Sequence, residues 1–318
     1  MRGVERMRAV VLGRDGTTTL REVPVPRPRV GEILVRVTAV GLCGSDVEKL
    51  ADGTGIEGSV LGHELAGVVE GGALPTGTRV ALAHRVPCGA CRDCVAGHET
   101  CCPQYLASGL RPGGFAEMLV APASHVGTVV QALPATVSDL AGTFVEPLGC
   151  IVRGATRVPR GIGLVAGCGA VGRLFARVLA DRGDSVRVLD ADPSRLMAAA
   201  EEGFEPAASD ELLDFAVVTA PQALDAALAL LRPGGTCLVF AAPTTPVPVQ
   251  IDRVYRSELV LVGSRSATPA SLREALGLIA SGRVQAEDLV TDVLPLEEFE
   301  QGLARHRSRA ALKVVFRP

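Results

Sequence analysis

The stretch "GIGLVAGCGAVGRLFARVLADRGDSVRVLD", residues 161–190, decides the fold of this chain. A short apolar strand runs into a turn of three glycines, Gly167-x-Gly169-x-x-Gly172, and a second strand ends in Asp190. Apolar residues at helical spacing predict a helix between them, namely Leu174, Phe175, Val178 and Leu179. Strand, glycine turn, helix, strand and acid in one unit predict a parallel sheet that binds a dinucleotide, because the glycines permit a tight turn and a close approach to pyrophosphate.

The residues around the glycine turn predict which dinucleotide binds. The helix N-terminus directs its partial positive charge at the pyrophosphate. Asp190 follows Gly172 at the sequence spacing typical of the acidic residue that binds the adenosine ribose hydroxyls. A carboxylate there repels a 2′-phosphate, so NAD is predicted over NADP. Asp192 is a rival for this role, and Arg195 either stacks on the adenine or pairs with Asp190; a contact of Arg195 with phosphate would weaken the preference for NAD. The predicted cofactor-binding residues are Gly167, Gly169, Ala170, Val171, Gly172, Asp190, Arg195, Ala241 and Ala242. The alternative is a glycine turn in an unrelated α/β domain.

Outward from this stretch the chain separates into two kinds of sequence. Apolar segments that extend the dinucleotide-binding sheet place a Rossmann domain at residues 154–263. The predicted strands are "GIGLVAG", "SVRVLD", "DFAVVTA", "GTCLVFAA" and "SELVLVG", with "QALDAALALLRPGG" as a helix stopped by Pro-Gly-Gly and "FEPAA" as a short third strand with little room for a crossover helix. Residues 1–153 and 264–318 form the other domain, which opens with the strand-like, proline-punctuated segments "MRAVVLG", "TTTLREVPVP" and "GEILVRVTAVG".

Composition excludes several classes of protein. The 318 residues carry a net charge of −3 without a basic excess, which argues against a nucleic-acid partner. No apolar run approaches the roughly 20 residues of a membrane span, and the N-terminus lacks the apolar core of a secretory signal. We therefore expect a cytoplasmic protein whose nine cysteines stay reduced. Lys49 and Lys313 are the only lysines, which we interpret as genome composition bias or thermal adaptation.

Five of the nine cysteines lie in one loop, "PCGACRDCVAGHETCCPQ", residues 87–104. The pattern C-x2-C-x2-C-x7-C lets backbone turns point several sulfurs at one centre, which predicts a closed, structural zinc site in a lobe at 84–104. Its ligands are Cys88, Cys91, Cys94 and Cys102. An iron–sulfur cluster is the chemical rival. Cys101 is left over and is interpreted as a reduced cysteine without a ligand role.

A second set of potential ligands is spread along the first half of the chain. Cys43, His63, Glu64 and Glu146 stand in "VGLCGSDVEKL", "VLGHELAGVVE" and "TFVEPLGC". Each is ordinary alone, since a lone cysteine is most often a small buried hydrophobe. Together a thiolate, an imidazole and two carboxylates suit a second zinc with an exchangeable position.

Taken in order, these motifs resemble the zinc-dependent medium-chain dehydrogenase/reductase superfamily. Cys-Gly-Ser-Asp, Gly-His-Glu, the four-cysteine lobe, Glu-Pro-Leu and Gly-x-Gly-x-x-Gly span essentially the whole chain. The polyol (sorbitol) and threonine dehydrogenase branch is the most similar, because Glu146 stands where alcohol dehydrogenases of liver type carry a third zinc-binding cysteine. The resemblance implies an α/β protein with a GroES-like, β-rich catalytic domain, a Rossmann cofactor domain with a doubly wound parallel sheet, and an active site in the cleft between them.

The resemblance also implies roles for the second ligand set. Cys43 and His63 would bind the catalytic zinc. Glu64 would be a third ligand or would swing in and out as water and substrate exchange. Glu146 would bind directly or through water.

The resemblance also implies roles for three residues near Cys43. Ser45 would pass the alcohol proton outward, and Asp46 would accept a hydrogen bond from the ring N–H of His63 and fix its tautomer. Both residues could instead only cap the following helix. Glu48 sits where many members carry a relay histidine, and it is either that relay or a solvated helix residue.

The resemblance implies an enzyme with two Zn²⁺ per chain and NAD, with NADP the lesser candidate. The expected reaction is the reversible oxidation of a small polar secondary alcohol, such as a polyol, sugar, aminocyclitol or amino alcohol, to the ketone by hydride transfer. The rivals are an NADP-dependent carbonyl reductase of the same fold, in which the catalytic zinc is absent or spare, and a dinucleotide-binding sensor without turnover. We expect a homodimer or homotetramer, with "SELVLVG" available for pairing at a sheet edge, a small-molecule alcohol or ketone as partner, and no nucleic acid or membrane.

Overall fold

Two units, each with its own principal sheet, make up the chain. The computed structural model describes residues 5–242 and 245–318. Unit 1 comprises the residues up to Gly149 together with Ala267–Pro318, and unit 2 comprises Cys150–Ser266. The predicted boundaries at 153/154 and 263/264 lie a few residues from these, and the first four residues of the predicted first domain lie outside the described part.

The secondary structure alternates short strands with short helices. The strands are β1 Arg6–Leu12, β2 Thr18–Pro24, β3 Ile33–Gly41, β4 Glu64–Gly72, β5 Arg79–Leu82, β6 Met118–Ala121, β7 Val130–Ala132, β8 Ile162–Ala166, β9 Ser185–Leu189, β10 Glu205–Pro206, β11 Leu213–Val218, β12 Leu231–Val239, β13 Val260–Gly263, β14 Asp292–Pro295 and β15 Val314–Arg317. The helices are α1 Gly44–Ala51, α2 Arg92–Val95, α3 Pro103–Ala107, α4 Asp139–Gly142, α5 Val145–Ala155, α6 Ala170–Asp181, α7 Pro193–Glu201, α8 Leu224–Ala229, α9 Ile251–Arg256, α10 Pro269–Ala280 and α11 Phe299–Arg307. Short 3-10 turns occur at Glu99–Cys101, Pro221–Ala223, Glu287–Leu289 and Leu296–Glu298. Within residues 5–242 and 245–318, no helix has the length and apolar character needed to cross a membrane.

Unit 2 is built on a six-stranded parallel sheet. The strand order is β10-β9-β8-β11-β12-β13, and every neighbouring pair is parallel. Strands buried on both faces read as continuous apolar runs, and Leu164 and Ala216 at the centre are fully buried. The order reverses at β8, so the carboxyl ends of β8 and β11 form the switch point at which such sheets bind ligands. The predicted Rossmann fold is confirmed.

The glycine turn between β8 and α6 adopts the predicted geometry. Gly167 has a φ of +109°, in the region that disfavours side chains. A Cβ on Gly172 would lie 1.7 Å from the carbonyl oxygen of Gly167, so only glycine lets the helix pack this closely on the strand. A Cβ on Gly169, the N-cap of α6, would meet nothing nearer than Arg195 Nη1 at 3.7 Å among the described residues. The second glycine therefore leaves space beside the helix N-terminus.

Two predictions about the elements of unit 2 were wrong in detail. The segment after β9 accommodates a nine-residue helix, α7, and the "FEPAA" strand is reduced to the two residues of β10. The helix predicted in "QALDAALALLRPGG" ends at Ala229, and its Pro-Gly-Gly lies inside β12. The register of β11 with β12 shifts from Leu213 opposite Leu231 to Phe215 opposite Thr236. The Pro-Gly-Gly residues therefore lie in an irregular, bulge-like part of β12.

Strand β13 lies at the edge of this sheet, where Val260 and Leu261 are 48 % and 37 % exposed. The pairing of this edge with a second copy stays a prediction.

Unit 1 contains a seven-stranded sheet of order β14-β15-β3-β4-β5-β7, with β6 also paired to β3. Only β14 and β15 are parallel among its pairs. The antiparallel hairpin β1–β2 stands beside it. Three buried rings, Phe115, Phe299 and Phe316, pack together with centroids 4.9–5.7 Å apart and join α11 and β15 to the core. This β-rich unit agrees with the predicted fold class.

The strand register of unit 1 gathers three distant segments at one end of the sheet. Gly41, the last residue of β3, pairs with Glu64 at the start of β4 and with Val315 of β15. The N–H of Leu42 donates to the carbonyl of Val314 at 2.9 Å. The segments around Cys43, His63 and Lys313 are therefore neighbours in space.

We expect Gly172→Ala to cost about 1–3 kcal/mol of stability, the usual range for overpacking, because the new methyl meets backbone that cannot move independently. Gly277→Ala in α10 is the matched control, since a Cβ there meets no described atom within 4 Å. Denaturant unfolding followed by circular dichroism measures both. Equal midpoints for the two variants would contradict the close packing of α6 on β8.

Candidate metal centres and cofactor site

The first candidate metal centre lies at the end of the unit 1 sheet. Cys43 is the N-cap of α1 and follows the end of β3 after one residue, Leu42, and His63 directly precedes β4. The potential ligand atoms of Cys43, His63 and Glu64 all lie within 4.8 Å of one another. Ligands of one tetrahedral zinc are about 3.5 Å apart, given metal–ligand distances of about 2.0–2.3 Å. The three side chains thus need only small adjustments to share one ion.

The His63 ring is oriented as a metal ligand requires. Its Nδ1 lies 3.3 Å from Oδ1 of Asp46, whose side chain is 1 % exposed. Its Nε2 lies 3.5 Å from Oγ of Ser45, which itself donates to Sγ of Cys43 at 3.4 Å. One nitrogen therefore faces a carboxylate, as is usual for a zinc-binding histidine, and the other faces the Ser45 hydroxyl that donates to the Cys43 thiol.

Asp46 can both cap α1 and orient the His63 ring, so the two roles considered for it are compatible. Its Oδ2 accepts the backbone N–H of Cys43 at 3.3 Å, which completes a capping box at the start of α1. Its other oxygen faces His63. The same carboxylate thus fixes the start of α1 and the orientation of the imidazole, and it holds Cys43 and His63 in a defined position relative to each other.

Charge at this centre favours a cation on Nε2. Burial alone would lower the pKa of His63, but the facing carboxylate of Asp46 and the thiol of Cys43 raise it well above its ordinary value. Burial acts to raise the pKa of Asp46, but His63, Lys49 and the backbone N–H of Cys43 together lower it below its ordinary value. A metal ion on Nε2 would take the place of the proton that these negatively charged neighbours attract.

Glu64 has a partner that the sequence analysis missed. Its Oε2 forms an ion pair with Nζ of Lys313, and the two side chains are 3 % and 9 % exposed. Burial acts to lower the pKa of Lys313, while Glu64 raises it, so the pKa lies above its ordinary value. The signal in the sequence is that Lys313 is one of only two lysines among 32 lysines and arginines; its burial beside Glu64 gives it a role that composition alone does not explain.

The remaining predicted residues of this set lie on two helices. Glu146 stands in the first turn of α5, and the group of described ligand atoms within 4.8 Å does not include it. Its role as a further ligand stays a prediction. Glu48 lies on α1, partly buried, and burial and the nearby Asp52 raise its pKa.

The second candidate centre is the cysteine lobe of unit 1. The four sulfurs of Cys88, Cys91, Cys94 and Cys102 lie within 4.8 Å of one another. Sγ of Cys94 lies 3.9 Å from that of Cys88 and 3.6 Å from that of Cys91. A tetrahedron with zinc–sulfur bonds of about 2.3 Å has edges of about 3.8 Å. One ion fits these distances, whereas a cluster of several irons needs its thiolates farther apart.

The loop geometry prepares these thiols for a metal. Gly89 and Gly97 adopt φ values of +72° and +79°, which turn the chain around the centre. The backbone N–H of Cys88 donates to Sγ of Cys102 and is the main cause that lowers the pKa of this thiol to about 6. Cys101 is exposed and lies outside the group.

The cofactor site of unit 2 surrounds the glycine turn. Oδ2 of Asp190 accepts the N–H of Cys168 at 2.6 Å, and Oδ1 accepts the N–H of Asp192 at 2.8 Å. The Asp192 carboxylate caps α7 through the N–H of Ser194, and Arg195 Nε lies 4.0 Å from it. Asp190 is therefore fixed at the carboxyl end of β9, while Asp192 caps α7 and forms an ion pair with Arg195.

The other predicted cofactor residues lie at the same edge of the sheet. Ala170, Val171 and Gly172 form the first turn of α6. Ala241 and Ala242 follow β12, and the N–H of Ala241 donates to the carbonyl of Val218 at the end of β11.

Comparison with known proteins identifies the family. Residues 29–132 match the alcohol dehydrogenase GroES-like domain. D-altritol 5-dehydrogenase of Agrobacterium fabrum is 35 % identical over an alignment of 343 positions, and the match covers 98 % of this chain and 99 % of that protein. The chain belongs to the zinc-dependent medium-chain dehydrogenase/reductase superfamily. Sorbitol dehydrogenase of Halalkalibacterium halodurans is a further relative. It is 29 % identical to this chain, and the match covers 98 % of this chain and 99 % of that protein.

A solved structure supports the same assignment. The alcohol dehydrogenase from Thermus sp. ATN1 superimposes with a TM-score of 0.82 at 30 % identity, and the match covers 98 % of this chain and 99 % of that one. The predictions of the superfamily, its polyol branch, the GroES-like and Rossmann folds and an oxidoreductase are confirmed. Membership of the superfamily supports a zinc requirement and a nicotinamide cofactor.

We expect Cys91→Ala to remove one metal ion per chain and to lower the thermal midpoint, while the turnover of the protein that remains folded changes little. A closed metal site contributes directly to folding and supplies no position for substrate. Cys101→Ala is the control, because this exposed neighbour lies outside the sulfur group. Elemental analysis and calorimetry measure the effect. A stable Cys91→Ala protein with unchanged metal content would contradict the assignment.

Proposed function

We propose that the protein catalyses the reversible oxidation of a small polar secondary alcohol to the ketone, with NAD as hydride acceptor and two zinc ions per chain. The observation that carries the proposal is the convergence of the Cys43, His63 and Glu64 ligand atoms within 4.8 Å. Three protein ligands of mixed type leave a tetrahedral zinc with an open position, which is the pattern of catalytic rather than structural sites.

The residues of unit 1 supply the metal site and a path for the proton. Cys43 and His63 would hold the catalytic zinc, Glu64 would be a third ligand that moves in and out as water and substrate exchange, and Glu146 is the further candidate ligand. When bound, zinc polarises the substrate oxygen as a Lewis acid and lowers the pKa of the alcohol. Ser45 Oγ, which contacts both the Cys43 sulfur and the His63 Nε2, is placed to take the substrate proton and pass it outward.

The proton needs a destination beyond Ser45. Glu48 stands three residues later on α1, on the same face of the helix. Burial and the nearby Asp52 raise its pKa above the ordinary value, which makes it a better proton acceptor than an unperturbed glutamate. The ribose of the cofactor is the alternative acceptor.

Unit 2 supplies the hydride acceptor. The first turn of α6 and the space beside Gly169 would hold the pyrophosphate. Each oxygen of Asp190 already accepts one backbone N–H and keeps a lone pair for a ribose hydroxyl, whereas the carboxylate repels a 2′-phosphate. A bound NAD would supply the hydride acceptor for oxidation of the carbinol carbon, so the products would be ketone, NADH and one proton.

The relatives narrow the substrate class. The two sequence relatives named above are a D-altritol 5-dehydrogenase and a sorbitol dehydrogenase, both named for polyols. We therefore place polyols first, and sugars, aminocyclitols and amino alcohols after them.

A panel of polyols, sugars and amino alcohols with NAD and NADP, followed by the absorbance of reduced cofactor, tests the proposal. We expect a polyol with NAD to be the best pair. Turnover only of carbonyl compounds with NADPH, in a protein with one zinc per chain, would favour a reductase of the same fold. Binding of NAD without turnover across the panel would favour a sensor.

The catalytic centre itself is tested by His63→Ala. We expect turnover to fall by about a thousandfold or more, since the loss of Lewis-acid polarisation is worth several kcal/mol. NAD binding should be unchanged because Gly169 and Asp190 belong to unit 2. His98→Ala, an exposed histidine, is the control. Wild-type turnover in a zinc-depleted His63→Ala protein would overturn the mechanism.

A further inference from the structure

Lys313 lies against the candidate catalytic centre without being a metal ligand. Its Nζ pairs with Oε2 of Glu64 and donates to the carbonyl of Leu42 at 3.1 Å, one residue before Cys43. The ammonium also stands 5.8 Å from the ring centroid of buried Phe144, at cation–π distance. Each partner of this ammonium is anionic or electron-rich, so it is held firmly in one place.

The space around this ion pair is closed. A Cβ on Gly41 would lie 2.5 Å from Oε2 of Glu64 and 3.0 Å from Cε of Lys313. The larger, planar guanidinium of arginine has no comparable room there, whereas lysine provides a compact point charge. This accounts for a buried lysine in a chain whose other basic residues, except Lys49, are arginines.

Glu64 therefore lies between two cation positions. One is the ammonium of Lys313, and the other is the point that Glu64 shares with Cys43 and His63. A hydrogen bond between charged groups is short and strong, and it draws electron density from the carboxylate. An oxygen engaged in this way is a weaker metal ligand than a free one.

We propose that Lys313 is a positioning residue that holds Glu64 back from the catalytic metal, so that one coordination position stays exchangeable for the alcohol. The inference rests on the proposed function, because it requires a metal at Cys43 and His63. The ion pair sets the balance between a carboxylate bound to metal and a carboxylate bound to lysine.

The rate at which a chelator removes the more labile metal ion tests this role. In Lys313→Met the freed carboxylate should bind the metal, so zinc release should slow by about tenfold, within the range known for changes around metal ligands. A lysine that only supports the structure predicts the opposite sign, since its loss would loosen the site and speed release. Lys49→Met makes the same charge change on α1 and should leave the rate unchanged.

The double variant identifies the cause. Lys313→Met with Glu64→Gln removes both charges, and its release rate should match that of Glu64→Gln alone. Faster release in Lys313→Met, or slowing that persists in the double variant, would overturn the proposal.

A second measurement does not depend on whether Lys313→Met folds. With Co²⁺ in place of the zinc, the visible absorption reports which groups bind the metal. Because Lys313 holds Glu64 back, wild type and Glu64→Gln should have the same spectrum, and a clear difference would overturn the proposal. If the wild type binds metal only in the cysteine lobe, the proposed function fails. If it binds two metals per chain but zinc release is faster in Lys313→Met, only the role of Lys313 is refuted.

Discussion

The antiparallel pairing of β3 with β4 is the constraint on which the rest of the candidate active site depends. It sets Gly41 opposite Glu64, and this register brings Cys43 and His63 together although they lie twenty residues apart in the sequence. A shift by one residue would turn every side chain of β4 to the other face of the sheet. The apolar residues of these strands, such as Val35, Val37 and Leu65, are buried and so select one register. Core packing thus determines the geometry of the candidate metal site.

Buried charge at this end of the sheet is organised in pairs. Asp46 faces His63, and Glu64 faces Lys313, with all four side chains largely removed from solvent. Removing one member of a buried pair leaves an uncompensated charge, which usually costs far more than the pair contributes. Such an arrangement keeps a site rigid before any metal binds. The cysteine lobe follows a different rule, since its sulfurs depend on backbone N–H donors and on the metal itself.

Local patterns predicted the parts of the protein in which the chemistry is encoded by neighbouring residues. The glycine turn from Gly167 to Gly172 and the cysteines from Cys88 to Cys102 are such cases. The ion pair of Glu64 with Lys313 joins residues 249 positions apart and follows from strand register, which no local pattern reveals. The end of α8 was misplaced for a related reason: Pro-Gly-Gly ordinarily stops a helix, but here buried Leu231 pairs with β11 and begins a strand.

Anomalous diffraction at the zinc edge from metal-replete crystals tests the central claim most directly. The account predicts two peaks per chain, one among the four lobe sulfurs and one about 2.3 Å from Cys43 Sγ and about 2.1 Å from His63 Nε2. A replete crystal with density only in the lobe, or with Cys43 and His63 bound to separate ions, would contradict it.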